Sequence, residues 1–367
     1  MRKLLLYMLP VLLLAVSLPA FCFDAATPPA ERNAILFSWD GVQREHLKEC
    51  LSRNELPNLA QLIKEGGMVD IDVTSHNTDT KAGHTQMLTG YDPDVTGVMS
   101  NGKFKAIPAG YSIFERLDQT FGKDKIVTIM LTGKTHHVGA CPASTPEAIA
   151  DAKTKLQQLQ TNRPKANRKL AKAGNETTGV ADLDAATQAK QKQKTKMQGL
   201  NAIIQNSDGE PFLNTSKALD VWDGEKGRDY TVVGPLMLGY MDKYGKDRFC
   251  FFFHLSDPDH KGHNKGENSA EYNQAIIDCD KELGECVAKL KELGIYDKTM
   301  VFVNADHGFD EDKTSHSNAP TVYLAADLKT LTKNGDQRDI VPTILTEMGV
   351  DLSKIEPKMK GNVLTTK

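Results

Sequence analysis

Six short apolar runs constrain this chain more than any other feature: NAILFSWDG, GMVDIDVTS, KIVTIMLTG, RFCFFFHLS, TMVFVNADHG and APTVYLAAD. Turn residues and then a helical pattern follow each of them, and continuous apolar runs alternating with helices predict parallel strands buried on both faces. The helical patterns fall at Leu56–Glu65, Gly83–Gly90, Tyr111–Gln119, Asp229–Tyr244, Ser269–Leu293 and Arg338–Met348. The fold class that follows is α/β, with a mostly parallel central sheet sandwiched by helices. Four of the six runs lead into polar residues: Asp40, the Thr78–Thr80 cluster, Asp257/Asp259 with two histidines, and Asp306-His307. Ligands of open α/β sheets bind beyond the carboxyl ends of the strands, so carboxylate and imidazole delivered to one edge predict a site there.

Residues 144–212 break the rhythm. This stretch is rich in Lys, Gln and Ala, and between Ala150 and Gly199 eleven Lys/Arg stand against four Asp/Glu, a net +7. It reads as two helices joined around Gly174–Gly179 and inserted into the catalytic domain. A solvated hairpin is the plain interpretation; an electropositive rim that steers anionic substrates is the alternative. The whole chain carries a formal charge of -3 and no nucleic-acid-binding motif, so its composition points to neither nucleic acid nor a membrane surface.

At the N-terminus, Met1-Arg2-Lys3 precedes an apolar stretch from Leu4 to Phe23, interrupted by Pro10 and Pro19, with a small residue at Ala20. That pattern predicts a signal peptide over 1–23, a catalytic domain over 24–367 and a periplasmic or secreted location. An uncleaved anchor is the alternative, since about 20 apolar residues can span a bilayer. Export would permit disulfides among the six cysteines. Cys279 and Cys286 are seven residues apart in a helical pattern, which separates their Cα atoms by ~10 Å, too far to bridge each other. The remaining pairings stay open.

Oxygen and nitrogen ligands dominate the strand ends. DPDHKGH holds Asp257, Asp259, His260 and His263; NADHG adds Asp306 and His307; TSHSN adds His316; SWDG adds Asp40. Imidazole with carboxylate suits zinc, at three or four ligands per ion. The set is large enough for two metals, the usual device for in-line displacement at phosphorus.

In this order the residues resemble the alkaline phosphatase superfamily, and within it the type I phosphodiesterase/nucleotide pyrophosphatase branch. SWDG is similar to the first aspartate loop of that branch and TKAGHTQMLTG to its nucleophile helix. DPDHKGH is similar to its E-P-D-x-x-G-H, ADHG to its S-D-H-G, and TSHSN carries the late histidine. The resemblance runs over roughly 34–350 with the insertion excluded. It implies one zinc held by Asp40, Asp306 and His307 together with Thr80, and a second held by Asp259, His263 and His316, with Mn2+ or Fe as alternative metals. Asp257 and His260 are near-misses, expected around the ligands rather than among them.

In the superfamily the nucleophile stands ten residues before the glycine of the TG pair, which from Gly90 falls on Thr80. Sulfatases need Cys or Ser there with a following proline and arginine, and this chain has neither. A threonine hydroxyl needs a metal to favour its alkoxide. A helix starting near Ala82 would add positive potential. His84 is expected to be structural and Thr78 a cap. Asn101 matches the family asparagine that donates to a phosphoryl oxygen. Lys134 matches the lysine of a Lys-x-Arg pair found in some phosphomonoesterases, with His136 where the arginine would be. The expected activity is therefore an exported two-metal phosphoric ester hydrolase acting on small phosphomonoesters through a phosphothreonine intermediate. Phosphodiesters, nucleotide pyrophosphates and phosphonoacetate-type substrates are the alternatives, and a metal- or phosphate-binding protein is the non-enzymatic one.

Overall fold

The computed structural model describes residues 27–173, 180–224 and 227–366. The segment read as a signal peptide and the Gly174–Gly179 junction lie outside the described residues.

All six apolar runs are strands: β1 (Asn33–Trp39), β2 (Gly67–Asp72), β3 (Val127–Thr132), β5 (Phe249–Leu255), β6 (Thr299–Asn304) and β7 (Thr321–Ala326). Two short strands, β4 (Val221–Asp223) and β8 (Gly335–Asp336), complete one sheet in the order β4-β3-β5-β1-β6-β7-β2-β8. Every residue of β1, β5 and β6 is buried, as strands covered on both faces require. Helices Pro57–Glu65, Tyr230–Tyr244 and Ala270–Glu292 pack together as one layer, and Thr80–Thr89, Ile113–Phe121 and Ile340–Glu347 as another.

The expectation of parallel strands fails at β7, which pairs antiparallel with both β6 and β2. The reason is the connection. Residues 305–320 contain no helix, and a return to parallel pairing normally needs a helical crossover. The contiguous block β3-β5-β1-β6 is parallel throughout, so the residues following those four strands emerge at one edge.

The 144–212 region contains two helices, Pro146–Ala173 and Val180–Gln205, packed on each other. Its root is laced to the core: the Ser144 N–H donates to the Asn206 carbonyl at 2.7 Å, and the Ile107 N–H to the Pro211 carbonyl at 2.9 Å. Cys50, Cys141, Cys250, Cys279 and Cys286 are free thiols. No described helix is long and apolar enough to cross a membrane.

Candidate active site

Four adjacent parallel strands deliver charge to one edge. Asp40 follows β1, Lys134 follows β3, Asp306 and His307 follow β6, and Asp257–Lys265 is a helix that begins just after β5. That helix, rather than a capping loop, presents Asp259 and His263 one turn apart on the same face. Gly41 turns the chain after Asp40 with φ +77, a conformation that favours glycine, and its N–H donates to Asp306 Oδ1 at 3.0 Å.

Thr80 is the first residue of the Thr80–Thr89 helix, which therefore starts before both the Gly83–Gly90 pattern and the expected start near Ala82. Its hydroxyl lies 3.3 Å from His307 Nε2 and 3.4 Å from Lys134 Nζ. Gly83 lets this helix approach the end of β6, since a Cβ there would lie 2.3 Å from the Asp306 carbonyl oxygen. His84 is fully buried and is structural in a specific way. Its Nδ1 donates to the Thr80 carbonyl at 2.9 Å and stands 3.2 Å from Asp306 Oδ2, while Nε2 meets Ser38 Oγ at 2.9 Å. It pins the first turn of the nucleophile helix to Ser38 of β1.

The three carboxylates share one pattern: an oxygen that is held and an oxygen that is not. Asp40 Oδ2 accepts from Lys134 Nζ at 3.1 Å and from His254 Nε2 at 2.9 Å, and Asp259 Oδ2 accepts from the same lysine. Asp306 Oδ1 is taken by Gly41. Asp40 Oδ1, Asp259 Oδ1 and Asp306 Oδ2 are buried without a hydrogen-bond partner, which is costly unless something positive faces them. Burial pushes all three pKa values up; Lys134 overrides this at Asp40 and Asp259, and His307 with His84 at Asp306, so each is held below the usual carboxylate range. Burial lowers the Lys134 pKa, but Asp259 and Asp40 outweigh it and keep the ammonium charged.

The histidines face the free oxygens with their Nε2 atoms. Nδ1 of His307 donates to the Gly308 carbonyl at 2.9 Å, that of His316 to the Thr78 carbonyl at 2.6 Å, and that of His263 to the Thr314 carbonyl at 2.8 Å. A carbonyl can only accept, so in each neutral ring Nε2 carries a bare lone pair. His263 Nε2 and His316 Nε2 are 3.1 Å apart, and two lone pairs that close call for a cation or a proton. Asp259, His263 and His316 form one compact donor group, and Asp40, Asp259 and His307 another, each within 4.8 Å. Asp259 Oδ1 lies between them, 3.4 Å from His263 Nε2 and 3.9 Å from His307 Nε2. Asp306 Oδ2 is 3.4 Å from His307 Nε2. Orphaned carboxylate oxygens opposite anchored imidazoles are a donor set that fits divalent cations.

The remaining sequence candidates fall around this core. Asn101 Oδ1 accepts from the Lys81 N–H at 2.9 Å, which leaves its NH2 as the group available to a ligand. His136 is exposed, and its carbonyl accepts from Lys81 Nζ at 2.8 Å. Asp257 accepts from the Tyr230 N–H at 3.0 Å, and burial raises its pKa to about 6; it belongs to neither donor group. Thr78 donates to the His316 carbonyl instead of capping the helix. His254 was not singled out from the sequence. It sits inside β5 opposite Ser38 and Thr132, and the Gly133 N–H donates to its Nδ1 at 3.3 Å, which sets Nε2 as the donor to Asp40. An imidazole interrupting the run FCFFF was the available signal.

Residues 34–341 match the family described as Type I phosphodiesterase / nucleotide pyrophosphatase. The bis(5'-adenosyl)-triphosphatase ENPP4 of Bos taurus is 21% identical over 78% of this chain and 49% of its own length, so the chain spans about half of that relative. A 2,3-bisphosphoglycerate-independent phosphoglycerate mutase of Clostridium tetani is 31% identical over 30% of this chain and 22% of its own. Among solved structures, one from work on the metabolism of multiple glycosaminoglycans by Bacteroides thetaiotaomicron superposes with a TM-score of 0.56 at 14% identity, covering 91% of this chain and 75% of that one. This last likeness is one of fold. The family match extends from β1 into the Ile340–Glu347 helix and spans every strand that feeds the site, and the chain belongs to the type I phosphodiesterase / nucleotide pyrophosphatase family.

Proposed function

We propose that this chain is an exported, two-metal phosphoric ester hydrolase that acts on phosphomonoesters with Thr80 as its nucleophile. The observation that carries the proposal is the position of the Thr80 hydroxyl, at the positive end of a buried helix, 3.3 Å from His307 Nε2 and 3.4 Å from Lys134 Nζ. Asp40, Asp306 and His307 with Thr80 would hold one Zn2+, and Asp259, His263 and His316 the other; Mn2+ or Fe suits the same donors. Bound there, the cations would supply Lewis-acid stabilisation to the threonine alkoxide and to the leaving oxygen.

Thr80 Oγ attacks phosphorus in line. The hydroxyl proton of Thr80 passes to solvent, the Oγ–P bond forms as the bond to the leaving oxygen breaks, and that oxygen takes up a proton from solvent, giving phosphothreonine and the free alcohol. Water then attacks the same phosphorus, the Oγ–P bond breaks, and inorganic phosphate leaves. The Asn101 NH2 donates to a non-bridging oxygen. Lys134 Nζ is answered by Asp40 and Asp259, so the preference for a monoester over a diester rests on the resemblance of Lys134 to the lysine of phosphomonoesterases. Export rests on the N-terminal sequence alone.

Thr80→Ala tests the proposal. Turnover of para-nitrophenyl phosphate is expected to fall by roughly 10^3-fold or more, with both metal equivalents retained on elemental analysis. Parental turnover in the variant would remove Thr80 from its role. Preference of the parent enzyme for the bis-para-nitrophenyl ester would overturn the monoester assignment.

A further inference from the structure

A cleft of about 750 Å³ opens beside the carboxylate cluster, within the ~300–1,000 Å³ typical of small-molecule sites. Lys81, Asn101 and His263 line it from the core. Lys194, Gln198 and Asn201, from the last turns of the Val180–Gln205 helix, line it from the insertion. The two walls meet closely, since a Cβ at Gly102 would lie 3.3 Å from the Gln205 amide nitrogen. The insertion wall is fixed at its root, where Asn206 Nδ2 donates to the Pro142 carbonyl at 2.9 Å and Glu210 Oε2 accepts from the Cys141 N–H at 3.0 Å.

The charges in the cleft are unevenly matched. Glu210, the acidic side chain of the lining, faces Lys81 at 3.8 Å, and Lys81 also lies 4.2 Å from the centroid of the Phe104 ring. Lys194 has no acidic partner among the described residues. An in-line attack by Thr80 sends the leaving group away from Thr80, and His263 marks where the cleft meets the reacting end.

We infer that this cleft binds the leaving group of the substrate, and that Lys194 receives a negative charge carried by that group. The substrates are then small phosphoric esters whose leaving group is polar and itself anionic. This rests on the hydrolase proposal above and gives the insertion a role in specificity. Gln198 and Asn201 supply amide hydrogen bonds to such a group.

Phenyl phosphate and 4-carboxyphenyl phosphate differ by one carboxylate, which makes them a matched pair for the test. With Lys194→Ala, kcat/KM for the carboxylated ester is expected to fall about threefold to fivefold and that for phenyl phosphate by under about 1.5-fold, the scale of one exposed charge pair. The loss should lie in KM, and Lys194→Arg should recover most of it. The ratio of ratios cancels the intrinsic reactivities of the two esters. Equal losses on both esters, or none on either, overturn the inference.

A second arm needs no turnover. Equilibrium binding of 4-carboxybenzylphosphonate and benzylphosphonate to the metal-loaded protein should favour the first about threefold to fivefold in the parent and by under about 1.5-fold in Lys194→Ala. Equal affinities in the parent overturn the cleft assignment. A parent that discriminates in binding but hydrolyses neither ester sinks the hydrolase proposal and leaves the anion preference of the cleft standing.

Discussion

Asp40 and Asp327 are both fully buried carboxylates that directly follow a strand, and they resolve the same problem in opposite ways. Asp40, after β1, has Lys134 at 3.1 Å and His254 at 2.9 Å, and is held below the usual carboxylate range although burial and Asp306 push it up. Asp327, after β7, accepts the Val301 N–H at 2.9 Å through Oδ1, while Oδ2 has no partner. Burial pushes its pKa up to about 8. Equal burial thus gives an ion in one place and a neutral acid in the other. The difference is counter-charge, and the chain concentrates it where β3, β5, β1 and β6 end together.

The largest effect should come from breaking the charged member of this pair. Asp40→Asn leaves the Lys134 ammonium answered only by Asp259 and removes an orphaned ligand oxygen. Loss of about 3 kcal/mol in chelator-treated protein is expected on urea unfolding, the scale of a broken buried ion pair. One metal equivalent should also disappear on elemental analysis. A variant with parental stability and full metal content would show that the contrast with Asp327 is only apparent.

Much of this was legible in the sequence. The six strands, Asp40, Asp306-His307 and the Asp259/His263 pair are local patterns, each visible within a run of ten residues or so. What stayed hidden depends on non-local pairing. The direction of β7 is set by the helix-free 305–320 connection and not by APTVYLAAD, which reads like every other run. His254 interrupts the apolar run RFCFFFHLS, but the run does not say what the imidazole touches. Only the parallel pairing of β5 with β1, which sets His254 opposite Ser38, brings it to Asp40. Lys134 was read as a brace for phosphoryl oxygens, and its contacts to Asp40 and Asp259 emerge only once β3 lies beside β5.

His254 sharpens the comparison at intermediate size. Replacing it with Phe keeps the ring that packs edge-on against His84, at 4.7 Å between centroids, and removes the hydrogen bond to Asp40 Oδ2. Metal affinity measured by chelator competition is expected to fall ~10–100-fold, as for other groups that orient a metal-ligating carboxylate. Unchanged affinity would mean that Lys134 alone orients Asp40, and that counter-charge without hydrogen-bond geometry suffices.

The remaining effect belongs to the neutral acid and has the opposite sign. The Asp327 carboxyl has a pKa of about 8 when folded, against 3.8 for the unperturbed group. Between those values the folded state binds a proton that the unfolded state has lost, so the contribution of Asp327 to stability is fully present below pH 3.8 and declines as the pH rises towards 8. Asp327→Asn keeps the acceptor for the Val301 N–H and cannot ionise. The variant should therefore match the parent near pH 4 and exceed it by a margin that grows steadily as the pH rises towards 8 in urea unfolding. Titrations elsewhere in the chain cancel in the difference between the two proteins. A pH-independent difference, or a variant less stable than the parent at pH 8, would mean that Asp327 is ionised despite its burial, and that the charge gathered around Asp40 is not what keeps a buried carboxylate ionised in this fold.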